Sequence, residues 1–178
     1  MTRRQTTPEQ WFILNDEIGP ADWRVLQRLP RGTGVLMLRN LSPVESRRLR
    51  YLAGARGLAI VVEHPRTAGR VHNARELRNA RLRRAPLILL SPMWPTHSHP
   101  GWRPLPRMRA ATLARLADRK ALALGSVNAK RYAKIAQLGF IGWAGISAWS
   151  RLNVTKVTES GAKGVSLSAP LASAQLRT

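Results

Sequence analysis

The sequence predicts a parallel α/β barrel of the (β/α)8 TIM type that is shortened by one βα unit. Short apolar segments alternate with amphipathic helical segments, which is typical of parallel βαβ units with right-handed crossovers. Seven segments can be counted as strands, whereas a complete barrel has eight. Only eight residues separate Val62 from Val71, and a parallel crossover needs at least about 10–12. We therefore expect one βα unit to be missing before His72.

The predicted strands are short, apolar and followed by polar residues or glycine. They are residues 11–14, 35–38, 58–62, 71–73, 87–90, 121–124 and 141–146. The segment 87–90 has no polar side chain, which indicates a strand that is buried on both faces. Pro92 ends this strand because proline has no N–H to donate to a neighbouring strand.

Capping residues and apolar spacing predict the helices. Ser42 and Glu45 form a capping box with proline between them, which predicts a helix to about residue 55. Asn128 can cap a helix that continues through Leu138. Two further helices are predicted at residues 74–84 and 108–118.

Composition limits the class of protein. The chain has 178 residues, of which 44% are hydrophobic, so it can bury the core of one domain. We expect this barrel domain at residues 1–150 and a mostly mobile tail, rich in small and hydroxylated residues, at 151–178. Because cysteine is absent, disulfides, thiolate zinc sites and cysteine nucleophiles are excluded. No apolar run is long enough for a membrane span or a signal peptide, so we expect a cytoplasmic protein.

The charge is strongly positive, with 30 Lys and Arg against 9 Asp and Glu, formally +21. This balance suggests nucleic-acid binding as one interpretation. The arginines are spread through the predicted helices, and the few aromatic residues do not alternate with basic ones as in a base-stacking surface. Small phosphorylated ligands are also fully compatible with the charge.

The loop at residues 91–101 is the first candidate site. Thr96 and Ser98 place two hydroxyls after a buried strand, where α/β proteins often hold anionic ligands. His97 and His99 could face the same ligand. The alternative is an ordinary proline-rich surface loop with solvated histidines.

Three segments together resemble the thiamine-phosphate synthase family. Residues 90–101 resemble its pyrophosphate loop, residues 123–128 its glycine-rich phosphate turn, and residues 142–147 its last strand. They occur in the family's order and at comparable spacing. The resemblance is strongest over residues 71–150.

The resemblance implies a (β/α)8 barrel that joins hydroxymethylpyrimidine diphosphate to thiazole phosphate in thiamine biosynthesis, with Mg²⁺ on the diphosphate. A relative in the family instead isomerises the thiazole phosphate. The implied catalytic residues are Arg39, which would contact the diphosphate, and Ser98. The implied phosphate-binding residues are Thr96, Ser98, His99, Gly125, Ser126, Ile146, Ser147 and His72.

The chain departs from the family pattern at its metal and lysine positions. The lysine that follows the second-strand arginine is replaced by Leu41, and the lysine after the hydroxyl pair is replaced by His99. Glu63 and His64 stand where the family has an Asn-Asp pair, and a second aspartate falls on the missing strand. Glu63 is the remaining weak candidate for a Mg²⁺ ligand, with a solvated glutamate as the alternative.

These departures predict weak or absent Mg²⁺-dependent synthase activity. A second hypothesis is a non-catalytic or tautomerase-like relative that keeps the phosphate loops. A third, which rests on the charge, is a nucleic-acid-binding protein.

Overall fold

The protein folds around one seven-stranded parallel sheet. A computed structural model describes residues 7–14, 18–37, 41–96 and 100–149. The strands are β1 (Gln10–Leu14), β2 (Gly34–Met37), β3 (Ala59–Val62), β4 (Ala68–Val71), β5 (Leu87–Leu90), β6 (Ala121–Ala123) and β7 (Gly142–Gly145). Their order is β3-β2-β1-β7-β6-β5-β4, and every neighbouring pair is parallel. The strands β3 and β4, consecutive in the chain, are thus the two edges of the sheet.

This topology confirms the predicted fold class, a TIM-type barrel that lacks one unit. All seven predicted strands are present. The fourth begins at Ala68, three residues earlier than predicted, so residues 63–67 alone connect β3 to β4. The amides of Thr67 and Ala68 both donate to the carbonyl oxygen of His64 at 2.8 Å, which makes this connection a tight turn without a helix.

The sheet separates two apolar clusters because alternate residues of each strand point to opposite faces. The buried residues of the inner cluster all belong to strands and include Ala68 of β4, and the partly buried Val61 of β3 packs against them. Both edges therefore face a common interior, as in a barrel. Trp11 fills part of this interior, and a Cβ at Gly34 would overlap its indole ring.

The outer face of the sheet packs against helices. These are α1 (Pro20–Leu26), α2 (Pro43–Arg56), α3 (Ala74–Leu82), α4 (Arg107–Leu116) and α5 (Ala129–Ala133), followed by a 3₁₀ turn (Ala136–Leu138). The capping box of α2 is confirmed, because the Ser42 hydroxyl accepts a hydrogen bond from the Glu45 amide at 3.3 Å. Within the described ranges, none of the helices has the length and apolar character needed to cross a membrane.

Two helices differ from the sequence-based prediction. The helix α1 is not among the predicted helices, and its start is marked by Gly19, Pro20 and Asp22. The predicted helix from Asn128 through 138 ends at Ala133, after which i→i+3 hydrogen bonds tighten the chain and Ile135 is buried. The proposed tail at 151–178 lies outside the described residues.

Candidate functional site

The loops that follow β5 and β6 meet at the carboxyl ends of these neighbouring strands. Three hydrogen bonds join the loops: Met93 N to Leu124 O at 2.9 Å, Trp94 N to Gly125 O at 3.2 Å, and Ser126 Oγ to Pro95 O at 2.8 Å. The last bond puts Ser126 beside the residue that precedes Thr96. The structure thus brings together two of the segments that carry the predicted phosphate-binding residues.

Gly125 is required where the two loops touch. Its φ is +98°, a conformation that side-chain-bearing residues rarely adopt. A Cβ at this position would lie 2.9 Å from Pro92 Cα and 3.0 Å from Met93 N. The resemblance implies that Gly125 binds phosphate, and the structure gives this glycine a packing role against the β5 loop.

The third predicted segment adjoins the second, the turn after β6. A Cβ at Gly145, the last residue of β7, would lie 3.0 Å from the carbonyl oxygen of Val127, so the β7 end packs against the chain just after Ser126. Ile146 and Ser147 follow Gly145 and are exposed. The ends of β5, β6 and β7 therefore form one continuous surface of loops.

His72 links β4 to this surface. Its Nδ1 lies 2.6 Å from the carbonyl oxygen of Ser91, and because a carbonyl only accepts, Nδ1 carries the proton. The imidazole also meets the ring of Trp102 edge-on, with centroids 4.9 Å apart. His72 thus connects the ends of β4 and β5.

Arg131, which is not among the residues predicted from the sequence, lies beside the same loops. Its Nη1 donates to the carbonyl oxygen of Ser126 at 2.5 Å, and its guanidinium carbon lies 5.5 Å from the ring centroid of Trp94. Asn128 caps α5 as predicted, accepting from the Arg131 amide at 2.9 Å. The signal that could have identified Arg131 is a basic residue three positions after a predicted N-cap that follows a glycine turn.

Glu63 forms an ion pair with the side chain of Arg70 and is therefore a poor candidate for a metal ligand. Arg70 Nε and Nη2 lie 2.6 and 3.2 Å from its two carboxylate oxygens. Mg²⁺ prefers carboxylates in octahedral geometry, and the described residues contain no group of three His, Asp or Glu that could hold a metal. The part of the chain that the structure describes therefore does not fit the Mg²⁺ that the resemblance implies.

Part of the predicted site is not described. Arg39, Ser98 and His99, as well as His97, lie outside the described residues. Thr96 is described and half-buried. The described part of the candidate site thus consists of Thr96, His72, Arg131 and the loops that follow β6 and β7.

Comparison with known proteins supports the fold. No protein-family model and no curated protein sequence matches the chain. Among solved structures, the chain is similar to thiamine phosphate pyrophosphorylase from Pyrococcus furiosus, with a TM-score of 0.66 and 15% sequence identity. The similarity covers 87% of this chain and 94% of that one. At this identity the comparison shows a shared fold and leaves the function to the chemistry of the site.

Proposed function

We propose that this chain is a thiamine-phosphate synthase-like protein that binds a small phosphorylated ligand at the carboxyl ends of β5, β6 and β7. We further propose that its Mg²⁺-dependent condensing activity is weak or absent. The observation that carries the proposal is the hydrogen bond from Ser126 Oγ to Pro95 O, which joins the two loops predicted to bind phosphate. Ligands in α/β barrels are bound at this end of the strands.

The electrostatics of the loop surface favour an anion. Arg131 brings a guanidinium group to Ser126, and guanidinium groups bind phosphate through charge-assisted hydrogen bonds. The formal charge of +21 adds a positive field around the whole molecule. Phosphate monoesters and diphosphates are therefore the ligand class that the surface favours.

The similarity to a thiamine phosphate pyrophosphorylase narrows that class. It supports thiazole phosphate and hydroxymethylpyrimidine diphosphate as the ligands to test first. The tautomerase-like or purely binding alternative uses the same phosphate contacts and differs only in the chemistry that follows.

Binding and turnover place different demands on the site. Condensation releases pyrophosphate, so negative charge builds on the leaving group and must be met by cations aimed at it in advance. Binding of a phosphate needs only amides, hydroxyls and one cation. Because Arg70 holds Glu63, the described residues support binding better than they support a metal-assisted departure of pyrophosphate.

Thermal unfolding with and without ligand tests the proposal. Thiazole phosphate or inorganic pyrophosphate at about 100 times its Kd should stabilise the folded chain by about 2.7 kcal/mol and raise its melting temperature. Ser126→Ala should reduce this shift because it releases the β6 loop from Pro95. The matched control is Ser46→Ala, whose hydroxyl accepts from Arg50 on the surface of α2. No shift at saturating ligand would contradict the proposed binding.

A synthase assay tests the second half of the proposal. With both substrates and Mg²⁺, we expect little or no thiamine phosphate from the purified protein. Rapid product formation that is lost in Arg39→Ala would show an active synthase and would overturn the expectation of weak activity.

A further inference from the structure

We propose that Arg131 is a phosphate-contacting residue of the candidate site. This inference rests on the proposed function, because it concerns the same ligand surface. The ligand group it would hold is a terminal phosphate, either a monoester or the outer phosphate of a diphosphate.

The position of Arg131 is fixed by contacts on three sides. Asn128 accepts a hydrogen bond from the backbone amide of Arg131. The side chain donates from Nη1 to Ser126 O and lies over the ring of Trp94. A guanidinium held against a carbonyl and an aromatic face loses little further freedom when it binds an anion, which favours affinity.

The remaining donors of Arg131 are available for a ligand. A guanidinium has five N–H donors in a planar fork, and among the described residues the side chain of Arg131 donates to Ser126 O alone. The residue is exposed, and among the described residues no carboxylate forms an ion pair with it. Its charge is therefore not neutralised by the described part of the protein.

The location also matches the predicted phosphate loops. Ser126 contacts both Arg131 and the carbonyl oxygen of Pro95, so the guanidinium adjoins the predicted phosphate turn, and that turn is bonded to the loop that carries Thr96. A phosphate bound to the Ser126 turn would lie next to this guanidinium. The inference follows from the proximity of the Arg131 guanidinium, on the first turn of α5, to the turn after β6 and to the loop after β5.

Calorimetric titration of the full chain with inorganic pyrophosphate, and separately with thiazole phosphate, tests the inference. Arg131→Ala should weaken binding of both about tenfold or more. Lys130→Ala is the matched control, because it removes the same charge from the neighbouring exposed position; it should change the Kd less than twofold. Arg131→Lys keeps the charge without the fork and should give an intermediate Kd.

Arg131→Gln separates a phosphate contact from a purely structural role. Glutamine can still donate to Ser126 O but carries no charge, so its Kd should resemble that of Arg131→Ala. Wild-type affinity in Arg131→Gln or Arg131→Ala would overturn this inference while leaving the proposed function intact. If the wild-type chain binds neither ligand, the proposed function itself fails. The melting temperature of each unliganded variant shows whether it is folded.

Discussion

Glu63 and Arg70 form a two-point ion pair, in which Arg70 Nε lies 2.6 Å from Glu63 Oε1. Glu63 follows β3 and Arg70 belongs to β4, so the pair connects the two edges of the open sheet, at the place where the barrel lacks a strand. A cavity of about 350 Å³ adjoins the pair between the β3–β4 turn and α3. Residues of both charges line this cavity, so it has no clear preference for an anion.

The ion pair should contribute little to stability and should prevent metal binding. The side chains of Arg70 and Glu63 are 35% and 17% exposed, so we expect a coupling of about 1 kcal/mol or less in a double-mutant cycle with Glu63→Gln and Arg70→Gln. Urea unfolding measures this coupling. Added Mg²⁺ should leave the melting temperature of the wild type unchanged. A Mg²⁺-dependent rise that disappears in Glu63→Gln would instead identify Glu63 as a metal ligand.

Gly125→Ala should destabilise the fold and separate the two loops. The positive φ costs about 1–3 kcal/mol for a residue with a side chain, and the new Cβ would press on Pro92 and Met93. Gly54→Ala is the control: it lies within α2, a Cβ there meets nothing within 4 Å, and alanine should stabilise the helix by about 0.5–1 kcal/mol. Equal free energies of unfolding for the two variants would show that glycine at position 125 does not contribute to stability.

The barrel and its missing unit could be predicted because both depend on local features of the sequence. Apolar segments of about four residues recur with helical segments between them, and the short connection at residues 63–67 leaves no room for a crossover helix. The helix α1 was missed because it has only seven residues, too few to show a clear apolar period. Its Gly-Pro-x-Asp start was the available signal.

The contacts of the candidate site could not be predicted because they join distant parts of the chain. Ser126 and Pro95 are 31 positions apart, and their hydrogen bond depends on how the loops of two strands meet. The same holds for Arg131 and Trp94. The sequence predicted which residues bind phosphate, and the fold determines which of the described ones share a surface.

Replacement of His72 by phenylalanine should destabilise the protein, because it removes a hydrogen bond between the carboxyl ends of β4 and β5. Phenylalanine keeps an aromatic ring against Trp102 but cannot donate to the carbonyl oxygen of Ser91, a residue that is only 6% exposed. Loss of the donor for a buried carbonyl costs about 1–3 kcal/mol, measurable by urea unfolding. The exposed His64 is the control: its ring accepts only a solvent-exposed hydrogen bond from the Arg66 amide, so His64→Ala should cost less than about 1 kcal/mol. Unchanged stability in His72→Phe would contradict the assigned role of Nδ1.

Tyr132 should make stability fall at alkaline pH. Burial raises the pKa of Tyr132 above its ordinary value of 10.0, and the negative charge of Glu9 raises it further. The folded state thus holds this proton more tightly than the unfolded state, so the contribution is complete below pH 10 and is lost as pH rises through the folded pKa. Above pH 10, the free energy of unfolding of Tyr132→Phe should therefore fall less than that of the wild type.

The second tyrosine of the chain, Tyr51, provides the spectroscopic control. In Tyr51→Phe, Tyr132 is the sole tyrosine, and its ionisation can be followed by ultraviolet difference spectroscopy in the folded protein. A midpoint at or below 10 would contradict the effect of burial on this pKa.

The salt dependence of binding should separate a phosphate-ligand site from a nucleic-acid surface. A pyrophosphate held by Ser126, Arg131 and a few amides engages one or two cations, so its Kd should change about tenfold or less between about 50 and 200 mM salt. A protein that uses its many exposed arginines on 6–10 nucleic-acid phosphates loses about 10³–10⁵ in affinity over that range. Competition titrations of a fluorescent DNA duplex with pyrophosphate at both salt concentrations measure the difference. Steeply salt-dependent DNA binding that pyrophosphate does not displace, in a protein with no pyrophosphate affinity of its own, would favour the nucleic-acid interpretation.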